Sequence, residues 1–164
     1  MESGGTGMLS VLLRRGYQAY AEMQGSAEFP LLRGRVLFYQ TGQGVLVTAD
    51  ISGLPFGTGK CAGRIFGFHI HEGSSCQEAA EGDPFPGTLS HYNPGECLHP
   101  AHAGDLPPLF GNRGHAVMAV LTDRLRVQDI IGRTVVIHDR SDDFKTQPSG
   151  DSGTKIACGI IRHR

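Results

Sequence analysis

The sequence predicts an all-β domain, a barrel or sandwich that carries two long working loops. Three observations lead there. Glycine supplies 24 of the 164 residues, about twice its ordinary share of about 7%, and it is spread along the chain as many tight turns require. Apolar stretches are short and are punctuated by Gly, Pro, Asn and Asp. Helical periodicity is almost absent, and the best helix signal, residues 127–131, is too short to organise a fold.

The strands are expected at residues 17–24, 32–39, 44–51, 64–71, 114–121, 133–139 and 156–162. Gln40-Thr41-Gly42-Gln43 reads as a hairpin turn between the second and third. A further short strand after Asp105 is confined to an edge by Pro107 and Pro108. Residues 72–104 and 140–154 carry no strand pattern. Loops longer than about 12–15 residues are uncommon in compact domains and are usually functional or disordered. These two are rich in His, Asp, Cys and Gly, which favours function.

A chain of 164 residues fits one domain and can bury about 70% of the surface its unfolded form exposes. That domain is expected at residues 17–164, behind a poorly ordered tail at residues 1–16. The net charge is −1 and no Lys or Arg run offers a nucleic-acid footprint, so no nucleic-acid partner is expected. No apolar run approaches the 20 or so residues of a membrane span, so no membrane partner is expected either. The apolar residues 8–13 are followed, not preceded, by Arg14 and Arg15, which does not read as a secretory signal. A cytoplasmic location is expected, or a secreted or periplasmic one for a chain whose leader has been removed. The four cysteines, Cys61, Cys76, Cys97 and Cys158, form no CxxC and allow three full pairings.

Histidine marks the chemistry. In Gly67-Phe68-His69-Ile70-His71-Glu72 the two histidines share one strand face, while Phe68 and Ile70 face the core. Two imidazoles on one face can ligate one metal, although an HxH is as often a surface pair. His91, His99, His102 and Asp105 fall within fifteen residues. Pro100 and Gly104 keep them off a helix, so a loop must fold them around a point, as four-ligand zinc requires. His138 ends the alternating run Thr134-Val135-Val136-Ile137-His138. His115 and His163 have no such company and read as ordinary strand histidines. One tetrahedral zinc uses four ligands. The surplus of imidazole without thiolate suits a second ion, copper.

The segments GFHIHEG, HYNP followed by HAGDLP, and GRTVVIHDRSDDF followed by GDSGTKIACGI occur in the order found in copper/zinc superoxide dismutases, which the chain resembles from about Tyr17 to Arg162. The resemblance implies an eight-stranded Greek-key β-barrel, an immunoglobulin-like sandwich, with copper and zinc as cofactors. It implies copper ligation by His69, His71, His91 and His138, and zinc ligation by His91, His99, His102 and Asp105. His91 is then a deprotonated bridge between the ions, acting also as proton relay. Asp142 matches the aspartate that ties a copper-ligand histidine to a zinc-ligand histidine. Cys76 and Cys158 match an intrachain disulfide. The implied reaction dismutes superoxide, the small-molecule substrate, to oxygen and hydrogen peroxide, and a homodimer is an allowed assembly.

The chain departs from the family pattern in three ways. Lys155 stands where the family usually has an arginine beside copper; it keeps the charge and loses the planar fork of donors. It is expected to draw superoxide in, with help from Lys145 or Arg140. His99 and His102 are closer together than in animal members, and the 140–154 loop is shorter. Cys61 and Cys97 have no family counterpart, and Cys97 reads as an ordinary thiol rather than a spare ligand or half of a second disulfide. A (β/α)8 metal-dependent hydrolase would need about 250 residues and long helices. A cupin would want a glutamate at a spacing that neither Glu72 nor Glu78 has. A dismutase-like barrel that carries metal without turnover is the alternative function; it would be marked by lost copper ligands, and none is lost.

Overall fold

In the computed structural model, which describes residues 16–59 and 64–164, strands, several of them with alternating burial, wrap around one main apolar core. β1 (Ala19–Gly25) shows the rule: Ala19, Ala21 and Met23 are buried, while Glu22 and Gln24 face out. β2 (Arg33–Thr41) and β3 (Gly44–Ser52) follow as a hairpin. Thr41 pairs with Gly44, so the turn is tighter than the four residues expected. β4 (Ile65–Phe66) and β5 (Phe68–His71) are one expected strand divided at Gly67. β6 (Leu109–Phe110) is the short strand beyond the two prolines, and β7 is His115–Thr122. A single helical turn, α1 (Val127–Ile130), buries Val127 and Ile130 against the core. That turn, too short to organise the fold, still adds two side chains to its core. β8 (Thr134–His138) and β9 (Lys155–His163) complete the set.

The main sheet has the antiparallel order β5-β8-β9-β1-β2-β3-β7. Chain neighbours are repeatedly separated within it, which is the Greek-key signature. The two-stranded sheet β4-β6 joins its edges, because β4 runs into β5 and β6 turns through Asn112–His115 into β7. Counting β4 and β5 as one interrupted strand gives the expected eight. Phe38, Phe66, Phe68, Ile70, Leu109, Ile130 and Ile137 fill the barrel and are fully buried. Among the described residues no helix is long and apolar enough to cross a membrane. Almost all of the tail at residues 1–16, and Cys61, lie outside the described residues.

Cys76 and Cys158 are disulfide-bonded, tying the 72–104 loop to β9 across 82 residues of sequence. Closing a loop of that length removes about 4 kcal/mol of unfolded-state freedom in the chain-entropy account. Cys76→Ser is therefore expected to lower unfolding stability by about 2–5 kcal/mol. Urea denaturation measures this, and an unchanged midpoint would show that the bond adds nothing to stability.

Candidate metal centre

Two neighbouring strands and one loop assemble the site. β5 and β8 pair antiparallel, with His69 opposite Val136 and His71 opposite Thr134. The next position on β8, His138, donates its backbone N–H to Gly67 O. Period-2 alternation therefore sets His69, His71 and His138 on one face of the pair, with Phe68, Ile70 and Ile137 on the core side. The 72–104 loop returns over that face. His91 bridges to His71, Asp105 to His69, and Ile70 N–H donates to Gly104 O. Gly104 is needed for this approach, since a Cβ there would stand 2.2 Å from Ile70 O.

The ligand atoms fall into two groups. One holds His69, His71, His91 and His138, the other His91, His99, His102 and Asp105, and within each the atoms lie within 4.8 Å of one another. His91 belongs to both. All six histidines are nearly inaccessible. Every expected ligand is thus brought into a group, including the closely spaced His99 and His102. His115 and His163 are exposed and belong to neither group. Cys97 is an exposed free thiol outside both.

Hydrogen bonds orient the rings so that bare nitrogens converge. Asp142 is buried and reaches two of them: His69 Nε2 at 2.7 Å and His99 Nε2 at 2.9 Å. An ionised carboxylate only accepts, so both rings carry their proton on Nε2 and present Nδ1 bare. His71 Nδ1 donates to Leu89 O at 2.8 Å and His138 Nδ1 to Gly153 O at 3.3 Å, leaving both Nε2 atoms bare. Those two Nε2 atoms face each other at 3.3 Å. His69 Nδ1, His91 Nε2 and His99 Nδ1 are buried without a hydrogen-bond partner. His99 Nδ1 does lie 3.0 Å from Asp105 Oδ2, but not in hydrogen-bonding alignment. In the first group the lone pairs converge without protons between them, which is costly unless a cation sits among them; in the second, His91 Nδ1 donates to Asp105 Oδ1 at 2.8 Å, a proton that a cation would replace. The donor sets therefore fit metal: four imidazoles in one group, three imidazoles and a carboxylate in the other.

The protonation states agree. Burial lowers the His69 pKa to about 4, against the opposing pull of Asp142. Burial, then neighbouring histidines, hold His71 and His138 well below the usual imidazole range, although a backbone hydrogen bond opposes this at each ring. Burial also lowers His102. For Asp142 burial acts upward, but bonds from His69, the Phe144 N–H and His99 outweigh it and lower its pKa. Asp105 is lowered likewise, by His91 above all, against burial. Unfolded His69 takes up a proton below pH 6.5, whereas the folded ring resists until about 4. The metal-free protein is thus expected to lose stability as pH falls from 6.5 to about 4, by about 3 kcal/mol through His69 alone. Denaturation midpoints across that range test this; a flat profile would contradict neutral buried rings.

Several contributors have no signature in sequence. Leu89 and Gly153 act through carbonyls, which every residue has. Gln147 grips the His99 backbone on both sides of its Cα, its Oε1 accepting from His99 N at 3.0 Å and its Nε2 donating to His99 O at 2.7 Å. Arg124 Nη1 donates to Pro100 O at 3.0 Å. Gly150 covers Asp142, and a Cβ there would lie 2.1 Å from Asp142 Oδ1. Arg140, expected to lend positive field, pairs instead with Asp151 at 3.2 Å on the surface. Lys155 lines the cavity of about 670 Å³ above His71, His91 and His138.

The family described as copper/zinc superoxide dismutase (SODC) matches residues 32–161. The superoxide dismutase [Cu-Zn] of Legionella pneumophila is 37% identical over 139 residues, 81% of this chain and 80% of that protein. That of Deinococcus radiodurans is 31% identical, covering 79% of this chain and 76% of its own length. The Cu/Zn superoxide dismutase structure from Brucella abortus superposes with a TM-score of 0.71 at 24% identity, covering 87% of this chain and 99% of that one. A match that runs through the barrel, both loops and all the converging histidines places the chain in the copper/zinc superoxide dismutase family.

Proposed function

We propose that this protein dismutes superoxide: two superoxide anions and two protons become one oxygen and one hydrogen peroxide. His91 carries the reading, because its ring is the one side chain common to both ligand groups. In this reading His69 Nδ1, His71 Nε2, His91 Nε2 and His138 Nε2 hold copper. His91, His99, His102 and Asp105 hold zinc. Copper, when bound, supplies one-electron redox chemistry, and zinc supplies a fixed positive charge.

The chain's own groups do the rest. Asp142 fixes the rings of His69 and His99 from behind, so the two groups keep one geometry. Leu89 O and Gly153 O hold the tautomers of His71 and His138. His91, which lines the cavity, would take up a proton on Nε2 whenever that nitrogen does not hold copper, and pass it to the reduced dioxygen. Lys155 draws the anion toward the cavity floor.

We assign the activity to one domain, residues 17–164, and none to the tail at residues 1–16. The Cys76–Cys158 bond supports a compartment where disulfides persist, periplasmic or extracellular, over the cytoplasm. The exposed cross-strand pair Ile65 and Phe110 supports a homodimer. The deciding test of the activity is superoxide decay with protein carrying one copper and one zinc. Decay no faster than in buffer, with both metals bound, would leave a metal-binding barrel without turnover.

A further inference from the structure

The expected steering cation is not free. Lys155 is paired in register with His138, so its side chain rises beside the copper-side ligand group. Its Nζ donates to Asp83 Oδ2 and, at 3.2 Å, to Phe85 O. Asp83 is itself held in place, because its Oδ1 accepts the Phe85 N–H at 3.0 Å. One carboxylate oxygen thus anchors the turn while the other caps the ammonium. The segment that carries Asp83 and Phe85 is tied to β9 a second time by the disulfide at Cys158, three residues beyond Lys155. The Lys155 side chain is 13% exposed and that of Asp83 is 42% exposed, so the negative partner stands nearer to solvent.

The consequence is electrostatic. An isolated ammonium attracts an anion as a point charge, whereas an ammonium paired with a carboxylate acts as a dipole, whose field falls off faster with distance. We propose that Asp83 attenuates the Lys155 charge, setting how strongly the metal cavity attracts small anions such as superoxide. The inference rests on the reading of the cavity as the anion's route to copper. Asp83 acts through Lys155 and touches neither metal ligands nor substrate.

Asp83→Asn separates the charge from the fold, because an asparagine Oδ1 can still accept the Phe85 N–H. In copper- and zinc-loaded protein, Asp83→Asn is expected to raise the second-order rate about 2- to 5-fold at low ionic strength and to steepen its decline with salt. Lys155→Ala, which leaves the Asp83 carboxylate unpaired, should slow the reaction and flatten that decline, and adding Asp83→Asn to it should recover part of the loss without reaching the parental rate. Azide affinity, followed by the visible absorption of the copper-loaded protein, reports the same field without turnover. It should tighten in Asp83→Asn and weaken in Lys155→Ala. If Lys155→Ala weakens azide binding but Asp83→Asn leaves rate and affinity unchanged or lowers them, attenuation by Asp83 is overturned. If Lys155→Ala changes neither, Lys155 is not a steering charge and Asp83 has nothing to attenuate. Absence of turnover in the parent protein, with the azide pattern intact, would sink the dismutase reading and leave the charge assignment standing.

Discussion

Replacing His138 by alanine is expected to lower superoxide decay by more than about 100-fold while zinc stays bound. His138 supplies one of the four nitrogens of the first ligand group and none of the second. Its Nε2 stands 3.3 Å from His71 Nε2, so its removal opens one side of the cation position. Neither Asp142 nor the carbonyl that orients His71 is disturbed. Metal analysis after equilibration with both ions should therefore find zinc retained and copper weakened. Full activity in the variant would remove His138 from the copper site. Loss of both metals would mean that the two groups are less independent than their ligand lists imply.

Asp142→Ala should have the opposite pattern, weakening both metals by about 10- to 100-fold. Among the described residues Asp142 is the only side chain that hydrogen-bonds to rings of both groups through their outer nitrogens, His69 on one side and His99 on the other. Without it two buried Nε2–H donors lose their acceptor, at a cost of about 1–3 kcal/mol each. The freed rings can also flip tautomer, placing a proton on the nitrogen that must face the ion. Asp142→Asn should do nearly as much harm. Its amide group can accept from one ring but meets the other with a second donor, forcing that ring's proton onto the metal side. Competition against a chelator measures both affinities, and the melting temperature of the metal-free protein reads the lost bonds. Retention of both metals at parental affinity would show that the His69 and His99 rings are oriented by packing, with Gln147 holding only the His99 backbone.

The contrast between these two variants reflects what is legible in a sequence. Candidate ligands on strands are readable, because a strand alternates faces and His69, His71 and His138 follow that period. Ligands on the 72–104 loop were readable as residue types but not as positions, since a loop has no period. Their grouping came from the family resemblance, as did the Cys76–Cys158 pairing. The division of the 64–71 stretch at Gly67 was not readable, because that glycine lies against Ser152 and the Arg140 carbonyl, both distant in sequence. The working value of α1 was missed for a similar reason, as its burial depends on the sheet it meets.

By itself the sequence determined the β class, the strand faces and a set of side chains able to bind metal. Those follow from local rules: backbone preference, two-residue alternation and the chemistry of imidazole and carboxylate. Only the tertiary structure decided which ring nitrogens are bare. That choice rests on acceptors brought from afar: Asp142 to His69 and His99, Leu89 O to His71 and Gly153 O to His138. The same is true of the charge at the cavity. Lys155 is a cation in any reading of the sequence, but its partner Asp83 lies 72 residues earlier and meets it only because the loop is folded back and bonded to β9. A carbonyl has no residue type and a loop path has no period, so contacts of this kind exist only once the chain has closed.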